Sequence, residues 1–284
     1  MSEDVKQGLR LPGPLVLVGC GKMGGALLRG WLARGVDPKL VTVVDIKPMG
    51  IDDIAAKGVH VLTQATALPA GLKPAMLLLA VKPQFMDDAL PDYRRFVGPT
   101  DVPGATFLSI AAGKTLAYFK DRLGAQAEIV RSMPNTPAAV GRGITAIYRD
   151  PTVRPERLDL CGELLKACGK IEWVDAEDLL NAVTAVSGGG PAYVFLLIEC
   201  LAEAARAAGL PADLAMRLAR ETVSGSGELA RLSDESAAQL RQNVTSPKGT
   251  TLEALNVLMA SDGLQPLMTK AIAAATRRSR ELAQ

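Results

Sequence analysis

The chain has 284 residues, a length that accommodates about two domains of ordinary size. Lys and Arg total 32 and Asp and Glu total 30, and the net charge of +2 argues against a protein that binds nucleic acid or an anionic membrane surface. Hydrophobic residues make up 48% and aromatic residues only 4%, which excludes a disordered chain, argues against an aromatic-rich β-sandwich, and favours helices packed closely on each other or on a parallel sheet.

The first predicted element is a short buried strand over residues 14–19, which runs directly into a glycine-rich turn. The turn reads Gly19-Cys20-Gly21-Lys22-Met23-Gly24. A helical pattern over residues 23–34 follows, and Gly35 stands where a C-terminal cap belongs. A glycine-rich turn between a strand and a helix is typical of phosphate-binding sites.

A second predicted strand over residues 40–44 ends beside Asp45, which lies 21 residues after the last glycine of the turn, and closes a βαβ unit of the dinucleotide-binding type. The missing side chains of Gly19 and Gly21 would let the backbone approach a pyrophosphate at the helix N-terminus. Asp45 would accept hydrogen bonds from the adenosine ribose of NAD(H), whereas Lys47 would neutralise the 2′-phosphate of NADP(H). The sequence therefore predicts a nicotinamide cofactor and leaves NAD(H) and NADP(H) open.

Further strands are predicted with helical stretches between several of them, over residues 75–81, 106–110, 128–132, 144–148 and 171–174. This alternation predicts a doubly wound parallel sheet, and we assign residues 14–175 to a Rossmann-type dinucleotide-binding domain. Ligands of such sheets bind beyond the carboxyl ends of the strands. The cofactor crevice is therefore bordered by Ala80, Val81, Lys82 and Pro83, by Ala111, Ala112 and Gly113, and by Asn135. Asn135 lies between two prolines that fix the backbone. The alternative is that this segment is only a stiff connecting loop.

After residue 175 the sequence contains only long Ala- and Leu-rich helical stretches, so residues 176–284 are predicted to form an all-helical domain. The stretch over residues 192–208 is apolar on nearly every face, and such a helix must be buried on all sides. A domain of this size hardly encloses it alone. We therefore expect two subunits to pair through this region.

The segment around Thr250 is a candidate binding site in the helical domain. Thr250 and Glu253 fit a capping box, with Thr250 as the N-cap. The turn before it, residues 245–249, would present hydroxyl and N–H groups to a small carboxylate at a positive helix end. The alternative is an ordinary capped helix without a ligand.

A polar helix face at the domain junction is a second candidate. Glu177, Asn181 and Thr184 follow at helical spacing and lead to Ser187 and the glycine run after it. This face is either a solvated surface or part of a site.

The number and spacing of the cysteines and histidines limit which metal sites, disulfides and catalytic groups the chain can have. The four cysteines at positions 20, 161, 168 and 200 show neither metal-ligand spacing nor a disulfide framework, so we predict no metal site and a reducing, cytoplasmic location. His60 is the only histidine, which excludes a Ser-His-Asp triad and the histidine acid of many dehydrogenases, and we expect it to be exposed. The N-terminal residues lack the apolar core of a signal peptide, and the apolar runs fall short of the roughly 20 residues that span a bilayer.

Six blocks of the sequence resemble the Δ1-pyrroline-5-carboxylate reductases, which make L-proline from a cyclic imine. They cover almost the whole chain: GCGKMG at 19–24, AVKPQ at 80–84, SIAAG at 109–113, RSMPNTPA at 131–138, SGGGPAYVF at 187–195 and VTSPKGTT at 244–251. The resemblance implies a Rossmann-type domain followed by a helical dimerisation domain, with the site between the first domain of one subunit and the helices of the dimer. The expected partners are a small cyclic imine carboxylate and a second copy of the chain, with a higher assembly of dimers as a further option.

The resemblance also implies site residues. The substrate would be surrounded by Glu177, Asn243, Ser246, Thr250 and Thr251, and the cofactor by Gly19 to Gly24, Val81 to Pro83 and Ala111 to Gly113. Three positions depart from the family pattern, which commonly has Ser at Gly189, a small residue at Lys248 and Asp at Asn181. Lys248 either strengthens carboxylate binding or reaches solvent.

The chemistry agrees with the resemblance. Hydride reduction of a protonated imine needs a nearby nicotinamide but no strong general acid, so a site without histidine works. A β-hydroxyacid dehydrogenase is one alternative, but it uses a lysine on the interdomain helix, and residues 171–247 contain no lysine. A catalytically silent dinucleotide sensor is another, but it would need neither the MPNTP segment nor the TSPKGTT segment.

Overall fold

The computed structural model describes residues 9–48, 50–99 and 104–283. The chain divides into two compact units. The sheet unit comprises residues 1–188 together with 276–284, and the helical unit comprises residues 189–275. The predicted domain boundary after residue 175 therefore lies inside the sheet unit.

The sheet unit is built on eight strands in the order β3-β2-β1-β4-β5-β6-β7-β8. Their bounds are β1 Leu15–Val18, β2 Val41–Val44, β3 His60–Leu62, β4 Met76–Leu79, β5 Thr106–Ser109, β6 Glu128–Met133, β7 Gly143–Tyr148 and β8 Gly169–Val174. The exposed His60 lies in β3, as predicted. Every neighbouring pair is parallel except β6 and β7, which are antiparallel.

The predicted doubly wound parallel sheet is confirmed, and its one antiparallel pair is explained by the length of the connecting chain. Only residues 134–142 connect β6 to β7. A parallel connection needs a crossover of about a dozen residues or more, whereas antiparallel strands accept a shorter link. The short connection therefore reverses the chain direction.

Helices cover both faces of the sheet, as a doubly wound fold requires. They are α1 Lys22–Ala33, α2 Asp52–Ala55, α3 Met86–Ala89, α4 Leu116–Leu123 and α5 Pro155–Leu165. Side chains of β1 alternate between two buried clusters: Leu15 and Leu17 join one, and Val16 and Val18 join the other. The first cluster includes Trp31 of α1, whose indole N–H donates to the Leu164 carbonyl at 2.8 Å. The second includes Phe119 of α4.

The end of α1 follows the predicted cap. Gly35 has φ +82, and its N–H donates to the Leu32 carbonyl at 3.1 Å. The next N–H, of Val36, donates to the Trp31 carbonyl at 3.1 Å. Because only glycine adopts this left-handed conformation without strain, Gly35 turns the chain toward β2.

A broken helix leaves the sheet. α6 spans Leu179–Val183, a π-helical turn spans Thr184–Gly188, and α7 spans Gly190–Ala207. The helical unit continues with α8 Ala212–Leu232, α9 Ala237–Asn243 and α10 Thr250–Leu258, and α11 Leu264–Leu282 ends back in the sheet unit. Residues 189–275, all of them described, contain no strand. The all-helical prediction is confirmed.

Within the sheet unit, the last turns of α11 form a hydrogen bond and an ion pair with α6 and its N-cap residue. Ser279 Oγ donates to Asn181 Oδ1 at 2.8 Å, and Arg280 forms an ion pair with Asp178 at 2.6 Å. These contacts explain why residues 276–284 belong to the sheet unit.

α7 exposes a large apolar surface in the single chain. Among its residues only Ala202 is buried, while the Phe195 side chain is 60% exposed. Residues 179–207 are long and apolar enough to cross a membrane by length and composition, although the separate apolar runs seemed too short. The difference arises because α6, the π turn and α7 follow one another directly along the chain, with Gly189 as the single residue outside them. Such a surface requires a cover.

Candidate active site

The glycine-rich turn joins β1 to α1, and its glycines serve two different purposes. Gly19 has φ +89, and a Cβ there would lie 2.9 Å from the backbone of Ala80. A Cβ on Gly24 would lie 2.3 Å from the Gly19 carbonyl oxygen. A Cβ on Gly21 would meet no atom within 4 Å beyond its own chain neighbours. Packing therefore explains Gly19 and Gly24, whereas Gly21 keeps open a space in front of the helix.

That space lies at the N-terminus of α1. The helix begins at Lys22, one residue earlier than predicted, with Gly21 as an N-cap that offers no side chain. The first N–H groups of a helix have no partner inside it and carry partial positive charge. This arrangement suits an anion such as a pyrophosphate.

Asp45 fixes the turn from the next strand. Its Oδ2 accepts the N–H of Cys20 at 2.6 Å, and its Oδ1 accepts the N–H of Lys47 at 2.8 Å. Burial raises the pKa of the Cys20 thiol, and the charge of Asp45 raises it further. Cys20 therefore stays a neutral thiol, while Lys47 is exposed and free to approach a ligand phosphate.

The other predicted cofactor segments also follow strands of the same sheet. The Ala80 N–H donates to the Val18 carbonyl at 2.7 Å, which extends the pairing of β4 with β1, and Lys82 precedes a single turn over Pro83–Phe85. The Ala111 N–H donates to Ser109 Oγ at 3.2 Å. A Cβ on Gly113 would lie 3.3 Å from Leu282 of α11.

Asn135 lies after β6, where it was predicted, but its side chain serves the fold. Its Oδ1 accepts the Ile144 N–H at 3.0 Å and so joins the loop to β7. All the predicted cofactor residues thus lie on segments that follow β1, β2, β4, β5 and β6.

The polar face before α7 is held mainly by the protein itself. Thr184 Oγ1 donates to the Leu180 carbonyl at 2.7 Å, and Asn181 bonds to Ser279 and Asp178. Ser187 Oγ is buried and has no hydrogen-bond partner within the described part of the chain. The face is therefore mostly structural.

Glu177 has partners that the sequence did not reveal. Its Oε1 accepts from Arg131 Nη1 at 2.6 Å and from the Leu116 N–H at 2.7 Å. Arg131 is a charged residue among the four central residues of β6, all of which are buried. That pattern signals a buried ion pair, but it does not identify the partner.

The remaining predicted substrate residues lie in the helical unit, whereas Glu177 lies in the sheet unit. Asn243 ends α9, where its Nδ2 donates to Glu235 at 3.0 Å and its Oδ1 accepts from Gln239 at 2.8 Å. Ser246, Thr250 and Thr251 follow within eight positions, around the N-terminus of α10. These four residues therefore share one stretch of chain.

The predicted capping box at Thr250 is wrong. The N-cap is Gly249, and Thr250 is already the first helical residue. The Gly249 N–H donates to the Ser246 carbonyl at 3.0 Å, which closes a turn with Lys248 at φ +59. The Gly249 carbonyl then accepts the N–H of Leu252 and of Glu253. This turn starts the helix one residue early and frees both threonine hydroxyls from a capping role.

No group of three His, Cys, Asp or Glu residues within the described ranges is placed to hold a metal ion.

Two family models match the chain. One is described as pyrroline-5-carboxylate reductase dimerisation and matches residues 177–282; the other is described as NADP oxidoreductase, coenzyme F420-dependent, and matches residues 14–113. A pyrroline-5-carboxylate reductase from Synechocystis sp. is 39% identical over 263 residues, which cover 91% of this chain and 96% of the relative. The chain belongs to the pyrroline-5-carboxylate reductase family.

Solved structures agree with this membership. A pyrroline-5-carboxylate reductase from Coxiella burnetii has a TM-score of 0.86 at 33% identity and covers 96% of this chain and 100% of its own. The pyrroline carboxylate reductase of Plasmodium falciparum, solved with NADP bound, has a TM-score of 0.79 at 26% identity, with coverage of 96% and 99%.

The family assigns the reaction. The chain is an oxidoreductase that reduces 1-pyrroline-5-carboxylate to L-proline with NAD(P)H, so both alternatives, a β-hydroxyacid dehydrogenase and a silent sensor, are set aside. The dimerisation model covers α7, and assembly as a dimer accounts for the apolar surface that this helix exposes in the single chain.

Proposed function

We propose that the chain performs this reduction with either NADPH or NADH, bound along the glycine-rich turn of the sheet unit. The observation that carries the proposal is the open space at Gly21, which a single methyl group would begin to fill. Packing requires glycine at positions 19 and 24, but it does not require glycine at position 21. A pyrophosphate that approaches the N-terminus of α1 would explain the glycine at position 21, because a side chain there would stand in its way.

Both cofactors are expected because Asp45 and Lys47 act in opposite directions. The Asp45 carboxylate favours a ribose diol and repels a 2′-phosphate, and the Lys47 ammonium attracts the phosphate. Asp45 is held by two backbone N–H groups, so it keeps its place in either complex.

We place the substrate carboxylate at the N-terminus of α10. Ser246, Thr250 and Thr251 offer hydroxyl groups there, and the first N–H groups of the helix add positive partial charge. Asn243 supplies an amide whose orientation is held by Glu235 and Gln239. These residues bind and orient an anion and do not need to transfer a proton.

A bound dihydronicotinamide would supply the hydride. The chain's own groups fix the substrate by its carboxylate, and the iminium form of the imine already carries the proton that the amine product keeps. This division of roles explains how a chain with one exposed histidine reduces an imine.

The proposed assembly is a homodimer, with association of dimers as a further level, and the proposed location is the cytoplasm. All four cysteines are free, three of them buried. Free thiols in a chain of this length are typical of a reducing compartment.

The test is a coupled measurement of cofactor oxidation and product. Purified protein is incubated with 1-pyrroline-5-carboxylate and either NADPH or NADH, and proline is quantified by amino-acid analysis. Proline is expected with both cofactors, in proportion to the cofactor oxidised. If no proline appears with NADPH or with NADH at any pH between about 6 and 9, the proposal is refuted.

A further inference from the structure

Arg131 is a cation buried in the sheet unit. Its side chain is only 8% exposed, and it lies on β6 opposite Ser109, the last residue of β5. Its ion-pair partner is Glu177, at 2.6 Å. A guanidinium taken out of water is costly unless a carboxylate faces it, so removing Glu177 would leave an uncompensated buried charge.

Glu177 also holds the start of α4. The same oxygen that accepts from Arg131 accepts the N–H of Leu116, the first residue of that helix, at 2.7 Å. Thr115 caps the helix through the Tyr118 N–H at 3.1 Å. One carboxylate oxygen therefore connects β6 to α4. The loop after β6 contains Asn135, and α4 follows the loop after β5.

Both connected elements lead to segments where the proposed function puts the cofactor. The chain runs from Arg131 through the end of β6 at Met133 to Asn135, and the turn at Gly113 lies just before α4. A shift of either element would move backbone that faces the cofactor crevice.

We propose that Glu177 is a positioning residue for the cofactor rather than a group that contacts the substrate. It acts through Arg131 and Leu116, and it sets the distance between the loop after β5 and the loop after β6. The inference rests on the proposed function for the location of the cofactor.

The contact with Arg131 suggests a test with four proteins: wild type, Glu177→Met, Arg131→Met and the double variant. Each single change leaves a buried charge without its partner, whereas the double change replaces both by apolar side chains of similar length. The part of the Glu177 effect that passes through Arg131 disappears once Arg131 is gone, and only the part that passes through Leu116 remains. A residue that contacts the substrate keeps its full effect in both backgrounds.

The readout is NADPH affinity without imine, from fluorescence titration, together with kcat and KM for the imine. Glu177→Met is expected to weaken NADPH binding about tenfold relative to wild type. The double variant is expected to bind NADPH at least about threefold more tightly than Glu177→Met. The KM for the imine is expected to change by less than about twofold in both proteins. Because NADPH binding is measured alone, failure of the proposed reaction would appear separately, as absence of proline from the wild type.

Glu128→Met is the matched control. Glu128 lies at the amino end of the same strand, where it pairs with Arg154 and accepts from Thr106 Oγ1 at 2.7 Å. This variant, like Glu177→Met, removes a partly buried carboxylate that is paired with an arginine. The partners of Glu128, Arg154 and Thr106, lie outside the predicted cofactor segments. It is expected to lower the unfolding midpoint while leaving NADPH affinity within about twofold of wild type.

Two results would overturn the inference. One is a double variant that binds NADPH no better than Glu177→Met and has a strongly reduced kcat. The other is normal NADPH affinity in a folded Glu177→Met protein. If that protein does not fold, Glu177→Gln replaces it, because the amide oxygen still accepts from Leu116; its NADPH affinity is expected to fall about threefold, and unchanged affinity would again overturn the inference.

Discussion

At the scale of single residues, Asp45 has a structural role in the glycine-rich turn, and we propose a second role for it in the choice of cofactor. Its carboxylate accepts the N–H of Cys20 in the glycine-rich turn and of Lys47 beside the proposed ribose site. A substitution that removes both carboxylate oxygens is therefore expected to change the turn as well as the choice of cofactor.

Asp45→Asn separates these roles, because the amide keeps one oxygen for the Cys20 N–H but loses the charge. We expect the ratio of kcat/KM for NADPH to that for NADH to rise about tenfold, since repulsion between a carboxylate and a 2′-phosphate is relieved. Asp45→Ser should shift the ratio in the same direction while lowering both values. Steady-state kinetics with both cofactors measures this, and an unchanged ratio would mean that the side chain does not face the ribose.

Lys248 is the only non-glycine residue with a positive φ in the described part of the chain. A left-handed conformation costs a residue with a Cβ about 1–2 kcal/mol, and glycine avoids most of that cost. We expect Lys248→Gly to raise the free energy of unfolding by about 0.5–1 kcal/mol, after the larger entropy of the unfolded glycine chain is subtracted.

Lys248→Ala is the control, since it removes the ammonium but keeps the strain. Urea unfolding at one fixed protein concentration compares the two variants. Equal changes in both would show that the charge, not the backbone, determines the effect.

At this scale the sequence predicts where a residue lies in the fold better than it predicts the partner of its side chain. The positions of Gly19, Gly21 and Asp45 follow from a strand, a turn and a helix in succession. The pairing of Arg131 with Glu177 depends on contacts between residues 46 positions apart, which no local pattern encodes.

At the scale of elements, the N-terminus of α1 offers a matched pair of variants. In Gly21→Ala the new methyl meets no protein atom, so the fold should persist while NADPH affinity falls about tenfold or more. In Gly24→Ala the methyl would lie 2.3 Å from the Gly19 oxygen, so the backbone must shift and the unfolding temperature should fall. Thermal unfolding and cofactor titration distinguish the two, and normal NADPH affinity in Gly21→Ala would contradict the pyrophosphate placement.

The N-terminus of α10 supports a prediction about the substrate. Thr251→Ala removes one hydroxyl from the proposed carboxylate site, and the loss of one charge-assisted hydrogen bond, about 1.5–3 kcal/mol, should lower kcat/KM for the imine about 10- to 100-fold. NADPH affinity should hardly change. Because Gly249 is the N-cap, Thr250→Ala gives an equally clean test without loss of a cap.

Thr269→Ala is the control for that experiment. Its hydroxyl donates to the Gln265 carbonyl of its own helix at 3.1 Å, far along the chain from the proposed site. Near-normal activity of folded Thr251→Ala would move the carboxylate elsewhere, with Lys248 the next candidate. Equal loss of cofactor and imine binding would also contradict the placement.

Two elements show where sequence patterns fail. The capping box at Thr250 fits by spacing, but the turn that precedes the helix decides where it starts, and Gly249 takes the N-cap position. Strand β7 is recognisable from its apolar residues, yet its direction depends on the length of the connection to β6. Both features are set by loops, which have weaker patterns than helices and strands.

At the scale of the whole molecule, we propose that the exposed apolar face of α7 forms the dimer interface. Phe195→Glu places a charge on that face, and burying a carboxylate without a partner costs several kcal/mol. We expect the variant to be monomeric by light scattering at concentrations where wild type is dimeric. Phe85→Glu, at a similarly exposed phenylalanine of the sheet unit, should remain dimeric. A dimeric Phe195→Glu protein would assign the interface to other helices.

The overall architecture was predictable because it depends on strong periodic patterns. Alternating strands and helices gave the doubly wound sheet, and the continuous apolar helix indicated pairing of subunits. The division into compact units was not predictable, because it depends on the contacts of Ser279 and Arg280 with α6, which lie about a hundred positions away in sequence.

The return of α11 to the sheet unit affects how the protein can be dissected in the laboratory. A fragment whose translation stops after residue 188 would lack Leu282, which lies against the Gly113 turn, and the partners of Asp178 and Asn181. A faithful fragment must therefore join residues 9–188 to residues 276–283 through an artificial linker.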